Sequence, residues 1–301
     1  MRRFEMPELK TLLLALPTLL LFTCSDTDVP LMEEESLEKV RDLPSEIVEH
    51  SGMTEFNGLL WMINDGGNDA VLFGYNPVLG IVEKRIVVKG AVNYDWEELS
   101  QDNQHVYIGD FGNNTSGNRT DLRVYMVEKT DLSAAQDSVT VSGTIAFAYG
   151  DQTDFTPQPA NMASFDCEAF TVIGDSLVLF TKDWKTEKTR IYTIPATTGD
   201  HMALFRKEFD VSGLVTGAAL SEDHNELLLL GYTSILQPFI WIVPGFSLDN
   251  LTFNNSNRLE FSITAQTEGI AFSADGSVYV GSEAFEVFGI PYYATLYRAL
   301  Y

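Results

Sequence analysis

A phrase of about twenty residues returns along this chain, and a chain that repeats itself at a regular spacing has few architectures open to it. Its fullest copy is DWEELSQDNQHVYIGDFGNN, Asp95–Asn114. This copy opens on Asp95, Glu97 and Glu98, crosses a short apolar strand and turns at Asp102-Asn103. It then runs up a second strand to Asp110 and a Gly-Asn loop. DCEAFTVIGDSLVLFTKD (Asp166–Asp183) keeps the paired acids, the turn, the apolar strand and the closing Asp. EGIAFSADGSVYVGSEAF (Glu268–Phe285) closes on Glu283, and SGMTEFNGLLWMINDGGND (Ser51–Asp69) keeps Asp65 without an opening acid. TGAALSEDHNELLLLGYT (Thr216–Thr233) has neither acid. Anchored on Ser51, Glu97, Glu168, Thr216 and Glu268, the copies lie 46, 71, 48 and 52 residues apart.

Apolar runs in this chain are short, rich in β-branched and aromatic residues, and bounded by Gly, Asn, Asp and Pro, which is a strand pattern. Four antiparallel strands fill one such spacing, the arithmetic of a propeller blade. The expected fold is therefore all-β, a β-propeller of four-stranded antiparallel blades. Five blades account for the anchors, with six as the alternative if the long second unit conceals a small one. Its extra material, Asn113–Thr120 and Tyr149–Ser164, reads as irregular loop, and no stretch has the caps and periodicity of an amphipathic helix. The last unit stops one strand short after Thr295–Tyr301. Ser45–Glu49 is expected to supply that N-terminal strand and close the ring, removing an exposed sheet edge. A sandwich or jelly roll is the competing fold, but it does not explain why the phrase recurs at blade spacing.

The formal net charge of −24 argues against nucleic acid or an anionic membrane surface as a direct partner, because both are polyanions. Arg2-Arg3 followed by TLLLALPTLLLFT reads as a signal peptide, too short for a comfortable membrane span. Leu21-Phe22-Thr23-Cys24 resembles a loose lipobox, in which Cys24 is lipidated and becomes the first mature residue. An ordinary cleaved signal beside a chance cysteine is the alternative. Residues 1–23 are thus expected to be a leader, 24–36 a flexible acidic tether, and 37–301 one propeller domain. Cys167, the other of two cysteines, is expected to be a small buried apolar residue at a strand start.

In a propeller, the acids that open first strands and close second strands converge on one mouth of the central channel. Crowded carboxylates repel, so either some protonate or they share a cation. Asp95, Glu97, Asp110, Asp166, Glu168 and Glu268 are the candidate metal ligands, with calcium as the ion, since it takes oxygen donors alone. Asp65, Asp183 and Glu283 close the other units, and Asn64, Asn93, Asn113 and Asn114 stand beside them as neutral donors. The competing reading makes each acid a tie to backbone N–H groups. His50, His105, His201 and His224 show no zinc spacing, although His50 at the start of the first unit could serve in acid-base chemistry. Arg119 either helps Asn113 and Asn114 bind a ligand or, like Arg123, pairs with Asp110 and Asp121. Trp61 and Trp96 are expected to pack between blades. No nucleophile elbow, P-loop or HExxH motif is present.

LLWMINDGGNDAVLFGYNPVLGIVEKRIVV, DWEELSQDNQHVYIGDFGNN and DLRVYMVEK together resemble a family of secreted bacterial β-propellers common among Bacteroidetes lipoproteins. More distantly they are similar to SdiA-regulated periplasmic propellers, and in general plan to gluconolactonases and phytase-like esterases. The resemblance covers mainly residues 50–130. It extends to the acidic tract SDTD after Cys24, which in such lipoproteins can direct surface export. What it implies is an outer-membrane lipoprotein, on the periplasmic or the cell-surface side, tethered through Cys24. The function expected is a ligand-, glycan- or partner-binding module with a calcium-binding mouth. The alternative is a metal-dependent hydrolase of lactonase, esterase or phosphoesterase kind, with Asp95, Glu97, Asp166 and Glu168 in metal or base roles.

Overall fold

The computed structural model describes residues 36–221 and 225–301, so the leader, Cys24, the tether up to residue 35 and His224 lie outside the described residues. Among the described residues no helix is long and apolar enough to cross a membrane.

Strands follow one another almost without interruption. They are β1 (Ser36–Asp42), β2 (His50–Phe56), β3 (Leu59–Asn64), β4 (Val71–Asn76), β5 (Ile81–Lys89), β6 (Trp96–Gln101), β7 (His105–Asp110) and β8 (Arg123–Glu128). A six-residue helix, α1 (Lys129–Ala134), precedes β9 (Ser138–Thr140) and β10 (Gly143–Tyr149). Next come β11 (Cys167–Ile173), β12 (Ser176–Thr181), β13 (Lys188–Pro195), β14 (Gly199–Asp210), β15 (Leu214–Leu220), β16 (Glu226–Tyr232), β17 (Pro238–Pro244) and β18 (Asn257–Glu260). The chain ends in β19 (Thr267–Phe272), β20 (Val278–Ser282), a small hairpin of β21 (Phe285–Val287) and β22 (Ile290–Tyr292), and β23 (Thr295–Leu300).

These strands pair as antiparallel meanders, β2 to β5, β11 to β14, and β15 to β18. β6, β7, β8 and β10 form another, and β19, β20, β23 and β1 the last. Asn57-Gly58, with φ of 55° and 74°, makes the tight turn between β2 and β3, where two left-handed residues match the twist of the hairpin. β9 adds in parallel to β5, and β10 pairs in parallel with β14, merging two meanders into one eight-stranded sheet.

The leading strands β2, β6, β11, β15 and β19 each touch the next, and β19 returns to β2. Apolar clusters fill every gap between successive meanders. Trp61 and Trp96 share the one between β2–β5 and β6–β8, while Phe111 and Phe170 share the following one. Each of these large side chains is fully buried, worth about 2 kcal/mol or more in transfer from water. Cys167 is likewise buried in that second cluster, its thiol donating to the Phe180 carbonyl.

The partner of the final strand differs from the expectation. Ser45–Glu49 is irregular, with a turn at Ser45-Glu46, and it is β1 that pairs antiparallel with β23. Pro44 lacks an N–H for a ladder, and its carbonyl instead accepts from Ile47 in a tight turn. Leu37 in β1, by contrast, has an apolar cluster to enter. The lengthened second unit also supplies α1, which buries Leu132.

Candidate acidic mouth

Every leading strand carries the same irregularity near its start. Register along β6 shifts between Trp96 and Glu98, along β11 between Cys167 and Ala169, along β15 between Val215 and Gly217, and along β19 between Thr267 and Gly269. Along β2 the shift lies between His50 and Met53. The residues left without a partner are Glu97, Glu168, Thr216 and Glu268, with Ser51-Gly52 in β2. A bulge of this kind turns a side chain out of the ladder. Ser51 and Thr216 use their hydroxyls to bond the Trp96 and Thr267 carbonyls on the following leading strand. Glu97, Glu168 and Glu268 line a cavity of about 180 Å³, together with Ser51, Asp65, Glu283 and Lys182.

Asp65, Asp95 and Glu97 each direct a carboxylate oxygen to within 4.8 Å of the other two. Gly66 and Gly112 flank the Asp95 carboxylate, and a Cβ on Gly112 would run into both Asp95 and Glu97. Gly66 after Asp65 and the Gly of DFGNN are therefore close-approach glycines at this cluster, whereas Gly67 is a glycine because its φ is 83°. Oε1 of Glu97 is buried and has no hydrogen-bond partner.

Other acids already have partners. Asp110 takes the Arg119 guanidinium at 3.0 Å and the Asp95 N–H at 3.1 Å, both on Oδ1, while its buried Oδ2 has no partner. Arg119 also pairs with Asp121 at 3.1 Å, and its Nη1 lies 3.9 Å from Asp95. Asp166 accepts from the Asn113 N–H at 2.6 Å and the Trp184 indole at 3.0 Å. Asp183 accepts from the N–H groups of Lys185 and Thr186. Glu98 accepts from Met53, Leu99 and Ala218, at 3.2, 2.8 and 2.9 Å, and so ties three leading strands together. Asp110, Asp166 and Asp183 thus have the geometry of backbone and ion-pair ties, whereas Glu97, Glu168 and Glu268 border open space.

The neutral donors divide in the same way. Asn113 spends its side chain on Phe165 and Arg119, and Asn93 on Asn64, Asp65 and Trp96. Asn114 remains at the cavity wall. Asp95, Arg119 and Asn113 also line a second cavity of about 330 Å³, so Asp95 borders an outer pocket while Asp65 and Glu97 border the inner one. His50 is wholly buried against Gly269 and Gly281, and burial pushes its ring down to about 4. His105 bonds Asp102 and Glu128 away from this cavity, and His201 is half-buried against the Thr197 carbonyl.

Crowding and burial together make the mouth hostile to further negative charge. Burial first, then Glu168 and Glu49, raises Asp65 to about 6. Burial and the neighbouring Asp65 and Glu168 raise Asp95 to about 7. Glu283 also rises to about 7, through burial and Asp65. Glu97 and Glu268 stand well above the ordinary carboxylate range, again through burial and their acidic neighbours. Lys182 is the exception in sign. Burial works against its ammonium, yet Glu168 and Glu268 more than offset this and hold it charged. Its Nζ sits 3.2 Å from Glu168 and lies over the rings of Trp184 and Tyr232.

Lys182, Trp184 and Tyr232 escaped the reading of the sequence. A signal existed for two of them. Lys182 and Tyr232 each immediately precede the closing position of their unit, where Asn64 and Ser282 stand in two others. A lysine ending the apolar run LVLFT is out of pattern.

No family model matches this chain, and no curated protein matches it either. Solved structures do resemble it. Glutaminyl cyclase of Myxococcus xanthus aligns over 88% of this chain and 96% of its own, at 9% identity and a TM-score of 0.50. A glucose dehydrogenase aligns over 87% and 99%, at 8% identity and 0.50. Hydrazine synthase of Kuenenia stuttgartiensis aligns over 81% of this chain at 10% identity, with a TM-score of 0.38, and this chain spans 58% of that one. At such identities the likeness is one of fold. The all-β architecture with its ring of meanders is propeller-like.

Proposed function

We propose that this protein is a lipid-anchored, extracytoplasmic five-bladed β-propeller whose acidic mouth binds a divalent cation, calcium, and uses it to hold a ligand or partner. The ring of leading strands, each heading one meander, supports the blade number. One observation carries the functional reading. Asp65, Asp95 and Glu97 gather three carboxylate oxygens within 4.8 Å, and the buried Oε1 of Glu97 has no partner. A buried carboxylate oxygen without a donor is costly, and a cation offsets that cost directly. The donor set is oxygen alone, which favours calcium over zinc. Three carboxylates leave part of calcium's shell of six to eight oxygens open, and the inner cavity gives a ligand oxygen access to it.

Calcium titration by calorimetry and a thermal melt in chelator test this reading. One calcium per chain is expected, with a rise in melting temperature that Glu97→Gln and Asp95→Asn abolish. A melt unmoved by millimolar calcium refutes it. The anchor is tested separately by radiolabelled palmitate incorporation, expected in the natural sequence and lost in Cys24→Ser.

A hydrolytic use of the same ion has one observation in its favour. Glu283, raised to about 7, lines the same cavity and could take a proton from water beside the ion. A screen of lactones and phosphoesters with the calcium-loaded protein decides it, since turnover lost in Glu283→Gln is expected of that mechanism alone.

A further inference from the structure

Lys182 is the one Lys or Arg that is buried among the described residues. Burying an ammonium costs several kcal/mol before any partner is counted, and a buried ion pair contributes no more stability than a well-packed apolar residue of similar volume. Stability is thus a weak reason for a lysine here, and its surroundings indicate a better one. The Nζ stands 3.2 Å from Oε2 of Glu168, within the field of Glu268, in the cavity that also meets Asp65 and Glu97. Oε1 of Glu168 is buried and has no hydrogen-bond partner. On the other sides lie the faces of Trp184, 4.8 Å away, and Tyr232, 5.3 Å away. The indole face of Trp184 attracts a compact ammonium but gives calcium no oxygen to bind.

We propose that Lys182 is a built-in cation which fills a second cation position of the mouth, beside Glu168 in the cavity that Glu268 also lines, and so limits the mouth to one exchangeable divalent ion. This rests on the calcium reading of Asp65, Asp95 and Glu97. Multi-carboxylate clefts that bind two divalent ions share bridging acids between them. Here a covalently attached ammonium takes one of the two places, neutralises Glu168 without exchanging, and leaves the Asp65–Asp95–Glu97 side open. Lys182 is in this sense a stoichiometry-setting residue.

Calorimetric calcium titration of the full chain carrying Cys24→Ser, with Lys182→Met added, tests the idea. The unmodified mouth is expected to bind one calcium, and Lys182→Met two, the second being lost again when Glu168→Gln is combined with it. A Lys182→Met protein that still binds one calcium overturns the proposal. If the unmodified mouth binds none, the calcium reading fails by itself. In that case a Lys182→Met protein that gains one site supports the role of Lys182, and one that gains none overturns it. Should Lys182→Met not fold, Glu168→Gln in the natural mouth answers the same question. It is expected to keep one site with affinity lowered by less than about tenfold, because Glu168 adds to the field without being a ligand. Loss of calcium binding in Glu168→Gln would place the exchangeable ion where Lys182 is said to stand, and overturn the proposal.

Discussion

Glu98 should be among the most expensive side chains in the molecule to remove. Its carboxylate accepts from Met53, Leu99 and Ala218, N–H groups that belong to three different leading strands. The side chain is wholly buried. In Glu98→Ala all three donors lose their acceptor, and a buried donor left unsatisfied costs about 1–3 kcal/mol. Water entering the vacated space recovers part of this, and so does relief of the burial that pushes the Glu98 carboxyl well above the ordinary range, so the net loss is roughly 3–5 kcal/mol. In Glu98→Gln the amide oxygen can still serve Met53 and Leu99, but the amide nitrogen faces the Ala218 N–H. One donor is orphaned, at about 1–3 kcal/mol. Guanidinium unfolding at constant m-value reads both losses, and a scan should show the alanine variant melting roughly 10 °C lower. The order natural, then Gln, then Ala is the essential outcome. If both variants unfold within about 0.5 kcal/mol of the natural protein, the tie across the channel does not carry load and the reasoning is wrong.

In chelator, the mouth should make the fold less stable as pH rises. Asp65, Asp95 and Glu283 sit at about 6, about 7 and about 7, above ordinary values of 3.8, 3.8 and 4.5. The folded state therefore binds more protons than the unfolded one in that window, so stability falls between about pH 4 and pH 7. Saturating calcium should flatten the fall, and parallel melting curves with and without calcium would refute this. His50 acts oppositely, losing stability as pH drops from 6.5 towards about 4, but equally in both conditions. Gly281→Ala would push a methyl into the His50 ring and should cost about 1–3 kcal/mol in chemical unfolding, with no loss counting against the packing described. Deleting residues 1–42 removes β1 and bares the edge of β23, so gel filtration should show oligomers or aggregate where the longer chain is monodisperse.

The equivalent positions of the five copies of the phrase, Ser51, Glu97, Glu168, Thr216 and Glu268, are the bulge positions of the five leading strands. A repeated backbone device leaves a repeated trace, because each copy must place a polar group where the ladder cannot use it. What could not be read was which acids are ties. Asp110 and Glu97 look alike in the phrase, yet Asp110 faces Arg119 and a backbone N–H while Glu97 faces a cavity. That distinction is made by residues 113–119 and 158–166, which fold back over the mouth at Asn113–Asp166 and Asn114–Asn161. Contacts between segments so far apart leave no periodic signal. The same limit hid Lys182, whose meaning comes from Glu268 and Tyr232 on other meanders. Ile47-Val48 is strand-like on its own, and the turn at Pro44 keeps it out of the sheet, so the closing strand is β1 instead.

The recurrent bulge makes the mouth a set of interchangeable sockets. Four of them open with the same single-residue shift near the start of the leading strand, and the one in β2 with two residues, Ser51-Gly52. Ser51 and Thr216 occupy two of them with uncharged hydroxyls, and glutamates occupy the other three. Single substitutions at these points can therefore retune the charge and selectivity of the pore lip one step at a time, with no loop to be rebuilt and no strand to be moved.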